Sequence, residues 1–399
     1  MTAPLWSSGF RPFFLLGAAY GPLALAGWLL AWTRLLGDGV SHVPLQLWHA
    51  HEMLFGFSAA FICGFLLTAL PSWAGTPEIH GHRLLLLVAL WIAGRIGAWA
   101  DPWPWPGVSA VLDLALFPVL ALLLMPGLLR ASDERFLAVL VVLAGFIAAN
   151  GIYHAAVWRA DVAHAERALL VAINVLIVLF SMVAGLLTPI FTETVLRERG
   201  QETTIGFLPQ LEAAAIVSVV LFAVTASLDV PAPLSGAVAG FAAAIHFVRL
   251  LRWRAWSIVS VPLVLAMHLG YAWLVAAMVL RALGDAFAIV PQTAWVHAFT
   301  VGALGMIKLA FLNRVALRHT GRMLTISRTA LAGLGLMLAA GFSRVAMSLF
   351  GGGTELMTAT TVLWGLPFLL FLVMDAPKLW QPSLPRKLPT EKPTEMFKD

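Results

Sequence analysis

Leu47–Leu70 reads LWHAHEMLFGFSAAFICGFLLTAL, and it decides the fold. After Glu52 it carries no charge. A bilayer is crossed by a helix of about 20 mostly apolar residues, or by a closed barrel of shorter strands. This run is longer than a barrel strand and lacks alternation, so it is a membrane helix. It nevertheless holds His49, His51 and Glu52. Ionisable groups at membrane depth are costly and mark function, and neutral imidazole is the commonest metal ligand among side chains. Six histidines fall inside such stretches: His49, His51, His154, His246, His268 and His297.

The rest of the chain agrees. Of 399 residues, 60% are hydrophobic and 11% charged, against about 25% charged in soluble domains. Lipid must cover most of the surface, which makes the bilayer the chief partner. A net charge of +5 gives no case for a nucleic-acid partner. Cys63 is the only cysteine, so no intrachain disulfide is possible. Met1–Trp6 has no basic segment, and Ser8-Gly-Phe-Arg-Pro-Phe-Phe leads into a full span, so no signal peptide is expected.

Twelve spans are predicted: Phe13–Trp32, Leu47–Leu70, Leu84–Ala100, Val108–Leu129, Phe136–Trp158, Ala168–Ile190, Leu211–Leu228, Ala232–Leu250, Val261–Leu280, Pro291–Leu312, Thr329–Phe350 and Glu355–Met374. Turn chemistry separates them at Asp101-Pro-Trp-Pro-Trp-Pro-Gly, Asp229-Val-Pro-Ala-Pro and Gly351-Gly-Gly-Thr. Tryptophans gather near the ends. Eighteen Lys and Arg fall on the N-terminal side and four on the other, so both termini are expected in the cytoplasm. The expectation is an all-α, polytopic bundle in one domain over residues 1–375. A flexible cytoplasmic tail, 376–399, would follow; it is rich in Pro and charge.

With this orientation the polar residues of the spans share a depth. His49, His51 and Glu52, Arg95, Asp113, His154, His297 and Arg344 all fall toward the outer side, and His268 lies nearer the middle. Residues two apart are about 200° apart on a helix, so His49 and His51 cannot both face one metal from a regular helix. Either they serve two sites, or the first turn is irregular. Glu52 is placed to orient a ligating imidazole. Asn150 shares a face with His154, and Tyr271 with His268; Thr293, His297 and Thr300 form a stripe.

Plainer roles compete with these. His154 is as easily interfacial beside Trp158, and for His268 and His297 ligation and structure weigh about equally. His246 reads as interfacial. Arg95 and Arg344 either snorkel or pair with Asp113 or the carboxylates of a cofactor. Lys308 is expected to snorkel to the cytoplasmic face, and Met53 and Cys63 to pack. The metal-ligand candidates are therefore His49, His51, His154, His268 and His297, with Arg95, Arg344, Glu52 and Tyr271 as cofactor-contacting groups.

Several blocks resemble the NnrS family of membrane proteins. They are Ser8-Gly-Phe-Arg-Pro-Phe-Phe-Leu, Trp48-His-Ala-His-Glu-Met-Leu-Phe-Gly-Phe, Gly64-Phe-Leu-Leu-Thr-Ala-Leu-Pro-Ser-Trp, Leu90-Trp-Ile-Ala-Gly-Arg-Ile, Met267-His-Leu-Gly-Tyr-Ala-Trp, His297-Ala-Phe-Thr-Val-Gly-Ala-Leu-Gly and Arg314-Val-Ala-Leu-Arg-His-Thr-Gly-Arg. The resemblance runs from residue 8 to about 375. It implies a protein of the bacterial inner membrane that contains haem, expected to be b-type, and copper. It also implies a link to nitric oxide metabolism and tolerance of nitrosative stress, with nitric oxide as the small-molecule ligand. His49, His51, Glu52, Arg95, His268, His297 and His319 fall in the family's blocks. The chain departs at Ala184-Gly-Leu-Leu-Thr-Pro, where a basic residue is lost, and at Met306-Ile-Lys308, where smaller or hydroxylated residues are usual.

Three functions follow. The first is haem and copper binding in the nitric oxide response. The second is a proton-coupled transporter using the same polar layer, for which Gly185–Pro189 would interrupt the sixth helix. The third is a structural or assembly subunit. No hydrolase triad, phosphate loop or nucleotide motif marks an enzyme, although a redox activity on nitric oxide is compatible with the layer.

Overall fold

The computed structural model describes residues 3–35, 43–100, 106–201, 205 and 207–385. Among these there is no strand, and twelve helices are long and apolar enough to cross a membrane. They are α1 (Phe10–Trp32), α2 (Leu45–Trp73), α3 (Gly81–Trp99), α4 (Gly107–Leu128), α5 (Glu134–Trp158), α6 (Val162–Glu198), α7 (Pro209–Ser227), α8 (Ala232–Ser257), α9 (Pro262–Phe287), α10 (Gln292–His319), α11 (Arg328–Phe350) and α12 (Thr354–Met374). The aromatic turn read at Asp101 lies mostly outside the described residues, as does the tail beyond 385.

Helix ends exceed the apolar runs because polar residues close extra turns. α6 is the clearest case. Asp161 caps it by accepting from the His164 N–H at 3.1 Å, and Arg197 pairs with Glu193 one turn earlier at 2.9 Å. The interruption expected at Gly185–Pro189 does not occur; α6 is one helix of 37 residues with Pro189 inside it. Gly185 serves packing instead, since a Cβ there would run into the Arg249 guanidinium.

In lipid no hydrophobic force drives helices together, so close packing and polar contacts hold the bundle. α2 and α10 lie deepest: 83% and 72% of their apolar windows are inside the protein, against 28% for α4 and α7, which face outward. α1 packs on α2 and α12, where Phe14 fits against Gly64 and Phe57, Trp364 and Phe368 meet edge to face. The two central helices share an irregularity. α2 is α-helical to His51, π-helical over Glu52–Ser58 and α-helical again. α10 is α-helical to His297, π-helical over Ala298–Ala303 and α-helical again. π turns concentrate at functional sites.

Both ends of the chain meet at one end of the bundle. Arg11 donates to the Leu379 and Gln381 carbonyls at 2.7 and 2.9 Å and to Ser383 Oγ at 2.8 Å. The Leu384 N–H donates to the Thr320 carbonyl at 2.9 Å. Residues 377–385, read from composition as the start of a free tail, are therefore docked.

Candidate functional site

The two π turns set the geometry. His49, one turn before the first, and His297, immediately before the second, line the same cavity between α2 and α10, about 300 Å³ in volume. Its walls include Trp28, Met53, Leu54, Phe57, Leu304 and Trp364, and Arg344 and Lys308 also reach it; among the described residues no carboxylate lines it. The His49 ring packs on Trp28 with centroids 4.8 Å apart. The Nδ1–H of His297 donates to the Thr293 carbonyl at 2.7 Å, which leaves Nε2 as the ring's basic nitrogen. That fixed tautomer is the usual support for a ligating histidine. Arg344 spends one N–H on Ser348, at 2.7 Å.

His51 faces away from that cavity, into a buried network on the α3–α4–α5 side. Its Nδ1 lies 2.9 Å from Glu52 Oε1, and its Nε2 lies 3.1 Å from Asn150 Oδ1 and 3.2 Å from Asp113 Oδ2. Both ring nitrogens therefore face oxygen acceptors, an arrangement that a cation between Nε2 and Asp113 would satisfy. His154 Nε2 is 2.9 Å from the same Asp113 oxygen. Ligand atoms of His51, Asp113 and His154 all lie within 4.8 Å of one another. Bonds of about 2.0–2.2 Å from such N and O donors to Zn²⁺ put neighbouring donors a little over 3 Å apart, so the triad has the dimensions of a small-cation site. The Tyr153 ring stacks on His51 at 4.4 Å and 21°. A cavity of about 540 Å³ opens on this cluster.

Arg95 ties the network together. It donates to both Glu52 oxygens at 2.6 and 2.7 Å, and to Asp113. Tyr20 donates to Glu52, and Trp99 Nε1 to Tyr20 Oη at 2.9 Å. Asn150 Nδ2 donates to Asp113 at 2.7 Å. Arg95 thus pairs with Asp113, one of the two outcomes that its position suggested, and its guanidinium is committed to protein carboxylates.

The chain matches the NnrS protein family over residues 4–383, nearly its whole length. It belongs to the NnrS family. No curated protein matches it. Membership supports a multi-pass membrane protein of the nitric oxide response.

The remaining candidates of this NnrS-family chain sit elsewhere. His268 and Tyr271 lie in the first half of α9, toward the end of the bundle that carries the termini, apart from the histidines of α2 and α10. His268 Nδ1 donates to the Val264 carbonyl at 3.0 Å, and Nε2 lies 3.4 Å from Thr192 Oγ1. The Tyr271 hydroxyl meets His246 Nδ1 at 2.6 Å and accepts from Arg249 at 2.8 Å, so it partners His246 and not His268. His246, expected to be interfacial, is wholly buried; its Nε2 lies 3.2 Å from the Ala215 carbonyl. Arg249 also pairs with Glu212. Lys308 does not snorkel. It is buried, donates to Ser58 Oγ at 2.5 Å and lies 4.2 Å from the Phe57 ring centroid, because a lysine in the middle of a central helix has no face to water.

The groups that the family implies can be tested against these residues. Haem takes axial imidazoles, apolar walls for its ring and cations for its propionates. The α2–α10 cavity offers His49, His297, its aromatic wall and Arg344, with no carboxylate to repel the propionates. The copper ion takes imidazole and carboxylate donors, which the His51–Asp113–His154 cluster supplies. The residues fit both groups, at two places and not at one.

Proposed function

We propose that this membrane protein would hold haem between α2 and α10, with His49 and His297 as the residues that would bind it and Arg344 as the cation that would pair with its carboxylates. Copper would be held by His51, Asp113 and His154, and these centres would serve in handling nitric oxide or in tolerance of nitrosative stress in the bacterial inner membrane. The observation that carries the reading is that two histidines from separate central helices, each close to a π turn, share with an arginine one cavity that no carboxylate among the described residues lines. Bound haem supplies an iron whose ligands and burial tune its reaction with diatomic gases. The chain's own residues fix the His297 tautomer, keep the ring in apolar walls and place a cation at its polar edge. Glu52 orients His51 through Nδ1, and Arg95 balances Glu52 and Asp113.

Reduced-minus-oxidised absorption of purified protein tests this, with metal content measured by mass spectrometry. His49→Ala and His297→Ala are expected to lose the haem bands. Asp113→Asn and His51→Ala are expected to keep them and lose copper. His268→Ala is expected to keep both. Haem bands undiminished in the His49 and His297 variants would reject the axial assignment.

A further inference from the structure

A third cavity, about 940 Å³ in volume, belongs to neither centre. It opens at the end of the bundle that carries the termini, among α1, α2, α6 and α10. Phe14, Phe65, Leu186 and Phe311 wall it, and Arg199, Arg314, Arg318 and His319 line it with, among the described residues, a single carboxylate, Glu198. The Arg314 guanidinium lies 3.8 Å from the Phe191 ring centroid. A stacked guanidinium keeps its N–H groups available in its own plane. Arg199 is fixed at the rim by donating to the Ser257 carbonyl at 3.2 Å and to Ser260 Oγ at 2.7 Å. Arg314 and Arg318 are one turn apart on α10, and neither makes an ion pair among the described residues. Like charges at that spacing destabilise a helix, and a bound anion offsets the cost.

We propose that this cavity binds an acidic phospholipid, its phosphate between Arg314 and Arg318 and its acyl chain along the phenyl walls. The volume and the aromatic lining exceed what a free oxyanion needs. A basic pocket between membrane helices is the arrangement that recognises anionic headgroups. The inference is independent of the haem and copper reading.

Native mass spectrometry of the full-length protein in detergent provides the test. It is titrated with phosphatidylglycerol or with phosphatidylcholine of the same chain length. A preference of about tenfold or more for phosphatidylglycerol is expected. The double variant Arg314→Gln/Arg318→Gln should lose that preference. Arg328→Gln, at the exposed start of α11, should keep it. Leu186→Trp narrows the cavity with its charges intact and should weaken binding of phosphatidylglycerol. Inorganic phosphate in large excess should leave the lipid in place. The proposal is overturned if wild type shows no preference or if the double variant retains it. It is also overturned if phosphate displaces the lipid, which would make this a site for a soluble oxyanion. Should the double variant fail to fold, Leu186→Trp decides, and undiminished binding there rejects the cavity as the site.

Discussion

Arg95 is the residue on which the buried network balances. Among the described residues it is the arginine that faces both Glu52 and Asp113, each buried. Removing one member of a buried charge set leaves the others without compensation and costs about 3–5 kcal/mol. Arg95→Met is therefore expected to lower thermal stability in detergent by that order, whereas Arg135→Met, in an exposed pair with Asp133, should leave it unchanged. An equal effect of the two would mean that the network carries no net weight. The members of this network were partly legible in the sequence: His51, Glu52, Arg95, Asp113 and His154 could all be placed at one depth, and Asn150 on the face of His154. Tyr20 and Tyr153 could not, because a tyrosine in an apolar helix looks like any other packing residue until its partner is known. Lys308 was misread for a related reason. Snorkelling depends on which face of a helix meets lipid, and nothing in the composition of α10 tells that it lies at the centre.

The spans themselves needed only apolar length, and all twelve were legible. The π turns of α2 and α10 were not, since a π turn is one residue accommodated in a ladder, and apolar composition is indifferent to it. It bears on the site nonetheless, because it sets how the histidines before each turn face relative to the rest of the helix after it. Deleting Val301 would return α10 to α pitch, remove the widened turn that follows His297 and redirect the cavity-lining side chains at Thr300 and Leu304. The expected outcome is a folded membrane protein that has lost most of its haem absorption; unchanged absorption would mean that the turn does not position the ligand. The start of α6 gives a pH-dependent counterpart. The His164 N–H donates to Asp161 and holds its carboxyl below the ordinary aspartate value. A depressed folded value means the cap is complete above about 3.9, the unfolded value, and is lost as pH falls through the lowered one. Amide exchange at residues 163–166, corrected for intrinsic rates, should rise over that window. Asp161→Asn, which accepts without titrating, should remove the pH dependence.

For the molecule as a whole, two kinds of asymmetry run along the bundle axis. Both copper and haem candidates gather toward the end opposite the termini, while the arginine-lined cavity, the docked segment after α12 and most of the described Lys and Arg residues outside the spans gather at the terminal end. An even number of crossings puts both termini on one side. From the excess of basic residues in the short loops there we propose that this side is cytoplasmic, where acidic lipid would also give Arg314 and Arg318 a source of anions. The metal candidates then face the periplasmic half, within reach of a gas that dissolves in the bilayer and arrives from outside. Fusions test this directly. Green fluorescent protein after Asp399 should fluoresce and alkaline phosphatase there should be inactive, while phosphatase joined after Arg159, in the turn between α5 and α6, should be active. The reverse pattern would turn the bundle over, bring the His51 cavity to the cytoplasm and require the lipid site to lie in the outer leaflet, where the positive-inside bias of the loops would have no explanation.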